Sequence, residues 1–331
     1  MTTVAAAAAP RAPDSPYVVT LGETMALLHN ETIGHLAHAT ELKLGIGGAE
    51  SNVAIALTRL GTPAHWIGRV GADSLGERVQ RELRAEGVGL HANADPDAPT
   101  GLMVKERRTA GSSHVWYYRA GSAGSRLSPE DIPEGLIAGA AVLHVTGITP
   151  ALSASAADAV WEAIGIARDA GVPVSFDVNH RAALWRDRDP GEPGTLYRDL
   201  ARNATILFAG DDEARLLIPD IDEPLALASA IGELGPTQVV IKRGALGCVA
   251  IIDGLQYTQE AVPVKVVDTV GAGDAFVAGY LAELVAGEDA PTRLRTAVTT
   301  GAFACLTAGD WEAMPRRHEL TLLTADEPVT R

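Results

Sequence analysis

The chain has 331 residues, 47% hydrophobic and 21% charged, a balance that excludes a disordered chain and suffices for one large buried core. Its 42 acidic side chains against 27 lysines and arginines leave a net charge of −15, which argues against nucleic acid as the main partner, because phosphate backbones call for a basic face. A small anionic substrate stays open, since it answers to local charge.

Residues 1–16 form an Ala/Pro-rich stretch, expected to be a disordered tail. No positive charge precedes its alanine run, and the run is too weakly apolar for a signal segment. Tyr17–Leu21 then reads as a strand, Glu50–Leu60 as a helix with Val53, Ala56, Leu57 and Leu60 on one face, Ala64–Val70 as a strand and Ser74–Glu86 as a helix. Further strands are expected at Ala141–Val145, Val172–Asp177, Thr205–Phe208, Gln238–Lys242 and Cys248–Ile252, with helices at Ser153–Asp169 and Glu223–Leu234. Near-continuous apolar strands alternating with helices predict an α/β fold with a mostly parallel sheet covered on both faces, and ligands beyond the carboxyl ends of its strands. Two segments break the rhythm. His35–Gly47 and Thr100–Arg119 carry extended alternation without intervening helices, and are expected to form a small β lid on a domain spanning 17–320, with 321–331 as a C-terminal tail.

No stretch reaches the roughly 18 apolar residues of a membrane helix, so no membrane partner is expected. Cys248 and Cys305 make no CxxC pair or disulfide framework, which suits a cytoplasmic location. The nine histidines show no metal spacing. Trp66, Trp161 and Trp185 are expected to pack the core or its rim.

Two segments carry candidate chemistry. In Asp268-Thr269-Val270-Gly271-Ala272-Gly273-Asp274, an extended run (Val262–Val267) leads in and an apolar helix (Ala275–Val285) follows. Glycines at a helix start let backbone N–H groups converge, and the helix dipole favours an anion there. Asp274 at the mouth of that hole would accept a proton from an attacking hydroxyl. An aspartate capping a glycine turn would show the same spacing. Gly47-Gly48-Ala49-Glu50-Ser51-Asn52 also opens a helix; its glycines permit close approach and Asn52 offers donor and acceptor, though a tight strand-to-helix turn fits as well.

Gly47–Gly61 (GGAESNVAIALTRLG) and Asp268–Gly279 (DTVGAGDAFVAG) resemble the two signatures of the ribokinase-like, PfkB-type sugar kinase family, and Gly68–Asp73 followed by Gly76 matches its usual continuation. The resemblance implies a ribokinase-like three-layer α/β/α sandwich with a small β-sheet lid, and ATP-dependent phosphorylation of a sugar hydroxyl. The stretches Gly22–Met25, Tyr117–Ser125, His144–Pro150, Asp177–Arg181 and Gly309–Glu312 look most like the 2-keto-3-deoxygluconate kinase branch.

The resemblance implies that Asp274 is the base and that the N–H groups of Ala272, Gly273 and Asp274, following the catalytic-turn residue Gly271, cradle the phosphoryl group. Gly48, Asn52 and Tyr117 would contact the sugar, and Arg119 and Arg181 would fork its carboxylate. Asn179, Lys242, Arg243, Gly244 and Gly247, with Gly271 and Gly273, would line the ATP site. Glu213 would hold Mg²⁺ through water. Two positions depart from the pattern: Gly210 replaces the asparagine of an NxxE motif, and Met103 stands where these kinases carry a lid tyrosine. A homodimer through the lid is expected from its aromatic ribbon, Trp116 and Tyr118. The alternatives are a kinase for a neutral sugar such as ribose or fructose, and a non-catalytic sugar sensor. A dinucleotide oxidoreductase is disfavoured, because no GxGxxG follows the first strand.

Overall fold

The computed structural model describes residues 15–30, 32–109 and 112–323. The expected N-terminal tail lies almost wholly outside these, as does most of the C-terminal one; Arg317–Leu323 forms a 3₁₀ turn. In chain order the strands are β1 (Val18–Leu21), β2 (Met25–His29), β3 (Lys43–Gly47), β4 (Ala64–Gly71), β5 (Gly89–Asp95), β6 (Leu102–Thr109), β7 (Ser112–Tyr118), β8 (Val142–Thr146), β9 (Val174–Asp177), β10 (Ile206–Gly210), β11 (Gln238–Lys242), β12 (Cys248–Ile252) and β13 (Leu255–Gln259). Nine of them form one sheet in the order β13-β12-β11-β10-β9-β8-β1-β4-β5, parallel except for the β11-β12-β13 edge.

The apolar strands are continuous because both faces of this sheet are covered. Successive residues enter different cores: Val19, Leu143, Leu207 and Val239 face one, and Val18, Val142, Phe208 and Val240 the other. The first core is closed by the helix Ala154–Asp169, through Ala156, Ala159, Val160, Ala163 and Ile164. The second is closed by Ala49–Arg59, Ala272–Val285 and Ala290–Ala304. Helix Ala272–Val285 is apolar all round because sheet and helix sandwich it, and Gly279 lets Ala290–Ala304 approach: a Cβ there would meet Thr300 Oγ1 and Ala297 Cα. Trp66 is fully buried and Trp185 nearly so, while Trp161 packs at the edge of the first core. Both cysteines are free.

The lid is a four-stranded sheet, β3-β2-β6-β7. Its central strand β2 pairs parallel to β6 and antiparallel to β3. Sequence reading missed β2, because Met25–His29 is apolar and short and follows β1 closely. The expected ribbon at 35–47 is strand only from Lys43; Leu36–His38 is a 3₁₀ turn. Edge strands β5 (GLHANAD) and β13 (LQYTQ) were also missed, since a half-exposed edge has no apolar run to betray it. The extended lead-in 262–267 joins no sheet.

Candidate active site

The carboxyl ends of β1, β9, β10 and β11 and the N-termini of the helices Ala49–Arg59, Asp211–Leu217 and Ala272–Val285 open into one cavity of about 490 Å³, closed on one side by the lid. At its floor the chain turns at Gly271, in the left-handed region (φ 77°), and enters the helix Ala272–Val285. A side chain on Gly271 would overlap the Asp310 carbonyl, so glycine is required twice over. A Cβ on Gly273 would meet only Lys242 Nζ, at 3.6 Å, which leaves its cavity side open. The amides of Gly273 and Asp274 lie in the first turn, where N–H groups have no intrahelical acceptor. Ala272 corrects one expectation: its N–H donates back to Thr269 O at 3.3 Å, and it is not on the cavity wall.

Asp274 is only 6% exposed yet lines the cavity. Asn52 Nδ2 donates to its Oδ2 at 2.8 Å and Asn179 Nδ2 to its Oδ1 at 3.2 Å. Burial pushes its pKa up to about 7, against the pull of the Asn52 hydrogen bond and the Arg181 charge. Asn179 takes φ 41°, a conformation ordinarily left to glycine, and also donates to Asp177. Asp177 accepts two bonds from Lys242 Nζ, at 2.7 and 2.9 Å. Burial works to lower the Lys242 pKa, but Asp177 and Glu213 outweigh it and hold the ammonium charged. A cation thus stands between the ends of β9 and β11 and the helix N-terminus.

Glu213 lies in the first turn after β10. It accepts from His180 N at 2.8 Å and from Gly210 N at 2.7 Å, so Gly210 contributes a backbone amide at the position where the NxxE motif has its asparagine. Arg243, Gly244 and Gly247 lie beyond the cavity wall. Arg243 Nε is 3.7 Å from Asp211, Gly244 opens a 3₁₀ turn, and Gly247 (φ 82°) packs against Gln259 O.

On the lid side, Arg119 Nε donates to Glu23 Oε2 at 2.7 Å, and its guanidinium lies over the Tyr117 ring. Ser122 also donates to Glu23. Arg181 is exposed and bonds only the His180 carbonyl, with no carboxylate partner among the described residues. Gly48 begins the helix that carries Asn52, and a Cβ there would overlap the Glu23 carbonyl. Met103 packs with Met25 and Leu27. Site reading did not single out Glu23, Lys105, Asp177 and Asp310, all cavity-lining or bonded to residues that are. The available signal was a charged residue inside an apolar or alternating run.

A signature Asp274 at a helix N-terminus, held by the Asn52 of a second signature, is the decisive arrangement. The model of the "pfkB family carbohydrate kinase" matches residues 15–317. The chain belongs to the pfkB family of carbohydrate kinases. A 2-dehydro-3-deoxygluconokinase of Bacillus subtilis (strain 168) is 35% identical over 315 residues, covering 94% of this chain and 96% of that protein. A fructokinase of Salmonella typhimurium is 32% identical over 312 residues, with 91% and 96% covered. A putative ribokinase II from E. coli, solved with ATP and Mg²⁺, superposes with a TM-score of 0.85 at 26% identity, over 93% of this chain and 99% of that one. The fold is ribokinase-like, as expected, and this pfkB kinase is a phosphotransferase that uses an alcohol group as acceptor. The oxidoreductase and sensor alternatives give way to that assignment.

Proposed function

We propose that this pfkB kinase transfers the γ-phosphoryl group of ATP to the terminal hydroxyl of a sugar acid, 2-keto-3-deoxygluconate, giving its 6-phosphate. The observation that carries this reading is Asp274: a buried carboxylate with its pKa raised to about 7, at the N-terminus of a helix and on the wall of a cavity sized for a small ligand. A base poised near neutrality is suited to deprotonating a hydroxyl. Asp274 takes the hydroxyl proton while the sugar oxygen bonds to phosphorus and the bond to the ADP oxygen breaks. The first-turn amides of Gly273 and Asp274, with the turn at Gly271, hold the charge on the migrating group. Asn52 orients the base.

Lys242 neutralises phosphate charge, and Arg243, Gly244 and Gly247 border the route of the adenosine end beyond β11. A bound Mg²⁺ would add to this by neutralising charge on the phosphate oxygens. Glu213 fits it as a partner through water, because it lines the cavity and each of its oxygens, accepting one backbone N–H, keeps capacity for a second donor. Gly48, Asn52 and Tyr117 face the sugar. Its carboxylate is met by Arg181, whose fork bonds no carboxylate among the described residues, whereas the charge of Arg119 is already answered by Glu23. That commitment of Arg119, together with the fructokinase match, also supports a second reading in which the acceptor is a neutral sugar. The aromatic outer face of the lid, Trp116 and Tyr118, supports a homodimer, and the two free cysteines fit a cytoplasmic protein.

An ATP-coupled assay over 2-keto-3-deoxygluconate, its galactose-derived epimer, gluconate, ribose and fructose tests the reading. A kcat/KM highest for a 2-keto-3-deoxy acid is expected; preference for fructose or ribose would replace it with the second.

A further inference from the structure

Strand β6 of the lid presents a lysine to the interior. Lys105 is 2% exposed, and a lysine so buried is rare unless it is paired. Its Nζ lies 2.6 Å from Asp268 Oδ2 and 3.6 Å from Asp310 Oδ1, and donates to Gly309 O at 3.2 Å. Two residues on, Arg107 Nη2 donates to Val267 O at 3.0 Å. One lid strand therefore grips, with two cations, the segment that runs into Gly271 and the turn that packs on it. Asp268 relays the contact: its other oxygen accepts the Val270 N–H at 3.3 Å, next to Gly271. Asp310 sits on the opposite side, its carbonyl against Gly271 and its carboxylate against Gly47 of β3.

We propose that Lys105 is a positioning residue for phosphoryl transfer, its ammonium tying the lid to the Asp268–Gly271 loop so that seating the lid sets the placement of the phosphoryl cradle. The inference rests on the cradle reading above. Two physical effects support it. A buried ion pair holds its geometry, because separation leaves an uncompensated charge out of water. The ammonium also cancels carboxylate charge beside a site that must accept a migrating anion; without it, Asp268 and Asp310 repel the group the cradle holds. Small displacements of such a cradle are costly in rate, on the order of 100-fold per ångström.

The test is steady-state phosphorylation of the best acceptor from the panel by ATP and Mg²⁺, with thermal unfolding run alongside. The variants are Lys105→Met, Lys105→Arg, Lys105→Met with Asp268→Asn, and Asp274→Asn as reference. Lys105→Met is expected to lower kcat about 10- to 100-fold while KM for sugar and ATP stays within roughly threefold. Lys105→Arg should keep more of kcat than Lys105→Met. The double variant, which no longer buries an unpaired Asp268 charge, should recover thermal stability but not kcat. A Lys105→Met enzyme with reduced stability but wild-type kcat per folded molecule, or with a loss carried by KM alone, would overturn the proposal. If Asp274→Asn is inactive and Lys105→Met is not, the lid tie alone falls. If Asp274→Asn turns over normally, the cradle reading falls and takes the lid tie with it.

Discussion

Asn52 and Asp274 stand 222 positions apart in the chain and meet at 2.8 Å, amide to carboxylate, on the wall of the cavity. One comes from the first turn of the helix behind the lid, the other from the first turn of the helix behind the cradle. Neither helix positions a base alone; their packing in the second core does.

Asp274→Asn keeps the side-chain shape and one acceptor for Asn52, gives up the bond from Asn179 and removes the base. The variant is expected to fold, to bind ATP and sugar, and to lose about 100- to 10,000-fold in kcat. Calorimetric binding alongside the coupled assay separates the two effects. Wild-type turnover would remove Asp274 from the role.

The pH profile follows from the same carboxylate. Its pKa is raised from the usual aspartate value to about 7, chiefly by burial, so kcat/KM should climb as pH rises through about 7 and fall away below it. The stability sign is opposite. The folded state binds a proton that the unfolded state has released between the two pKa values, so this group's contribution to stability declines as pH rises from about 4 to 7. Asn52→Ala removes the hydrogen bond that holds the pKa down, and should move the acid limb of the rate profile to higher pH. An unmoved limb would show that another group governs it.

The two arginines should part company. Arg181→Gln is expected to raise KM for sugar acids at least tenfold and to leave KM for neutral sugars little changed, since among the described residues its guanidinium bonds no carboxylate; loss of its charge should move the Asp274 limb to higher pH for both sugar classes alike. Arg119→Met instead strands the buried Glu23 charge, and should cost about 3 kcal/mol of stability, much of it regained when Glu23→Gln is added. Equal KM effects of Arg181→Gln on both sugar classes would argue against a carboxylate clamp.

Gly271→Ala meets both a left-handed backbone and the Asp310 carbonyl. A loss of about 2 kcal/mol or more, with turnover falling further than stability, is the expected result from denaturant melts and kinetics run together. Gly273→Ala has only the Lys242 ammonium at 3.6 Å to meet, so it should fold normally and lose activity only through crowding of the phosphoryl site.

Much of the fold was legible because the sheet strands are apolar on both faces, as in Gln238–Lys242, parallel to β10, and its antiparallel neighbour Cys248–Ile252, both of which match the observed bounds. The lid's central strand was not, because Met25–His29 borrows its pairing from β3 and β6, whose residues lie far along the chain. Asp274, Asn52, Lys242 and Arg181 do come to one cavity, whereas Arg243, Gly244 and Gly247 lie beside it and Ala272 spends its amide on the turn.

By itself the sequence determined the layered α/β architecture and the glycine turns that open two helices, since periodicity and backbone freedom are local properties. Only the tertiary structure decided which charges remain available: that Arg119 is answered by Glu23 while Arg181 is not, and that Lys105 reaches Asp268 from the lid. Charge pairing and desolvation act through space, between residues that the order of the chain keeps far apart.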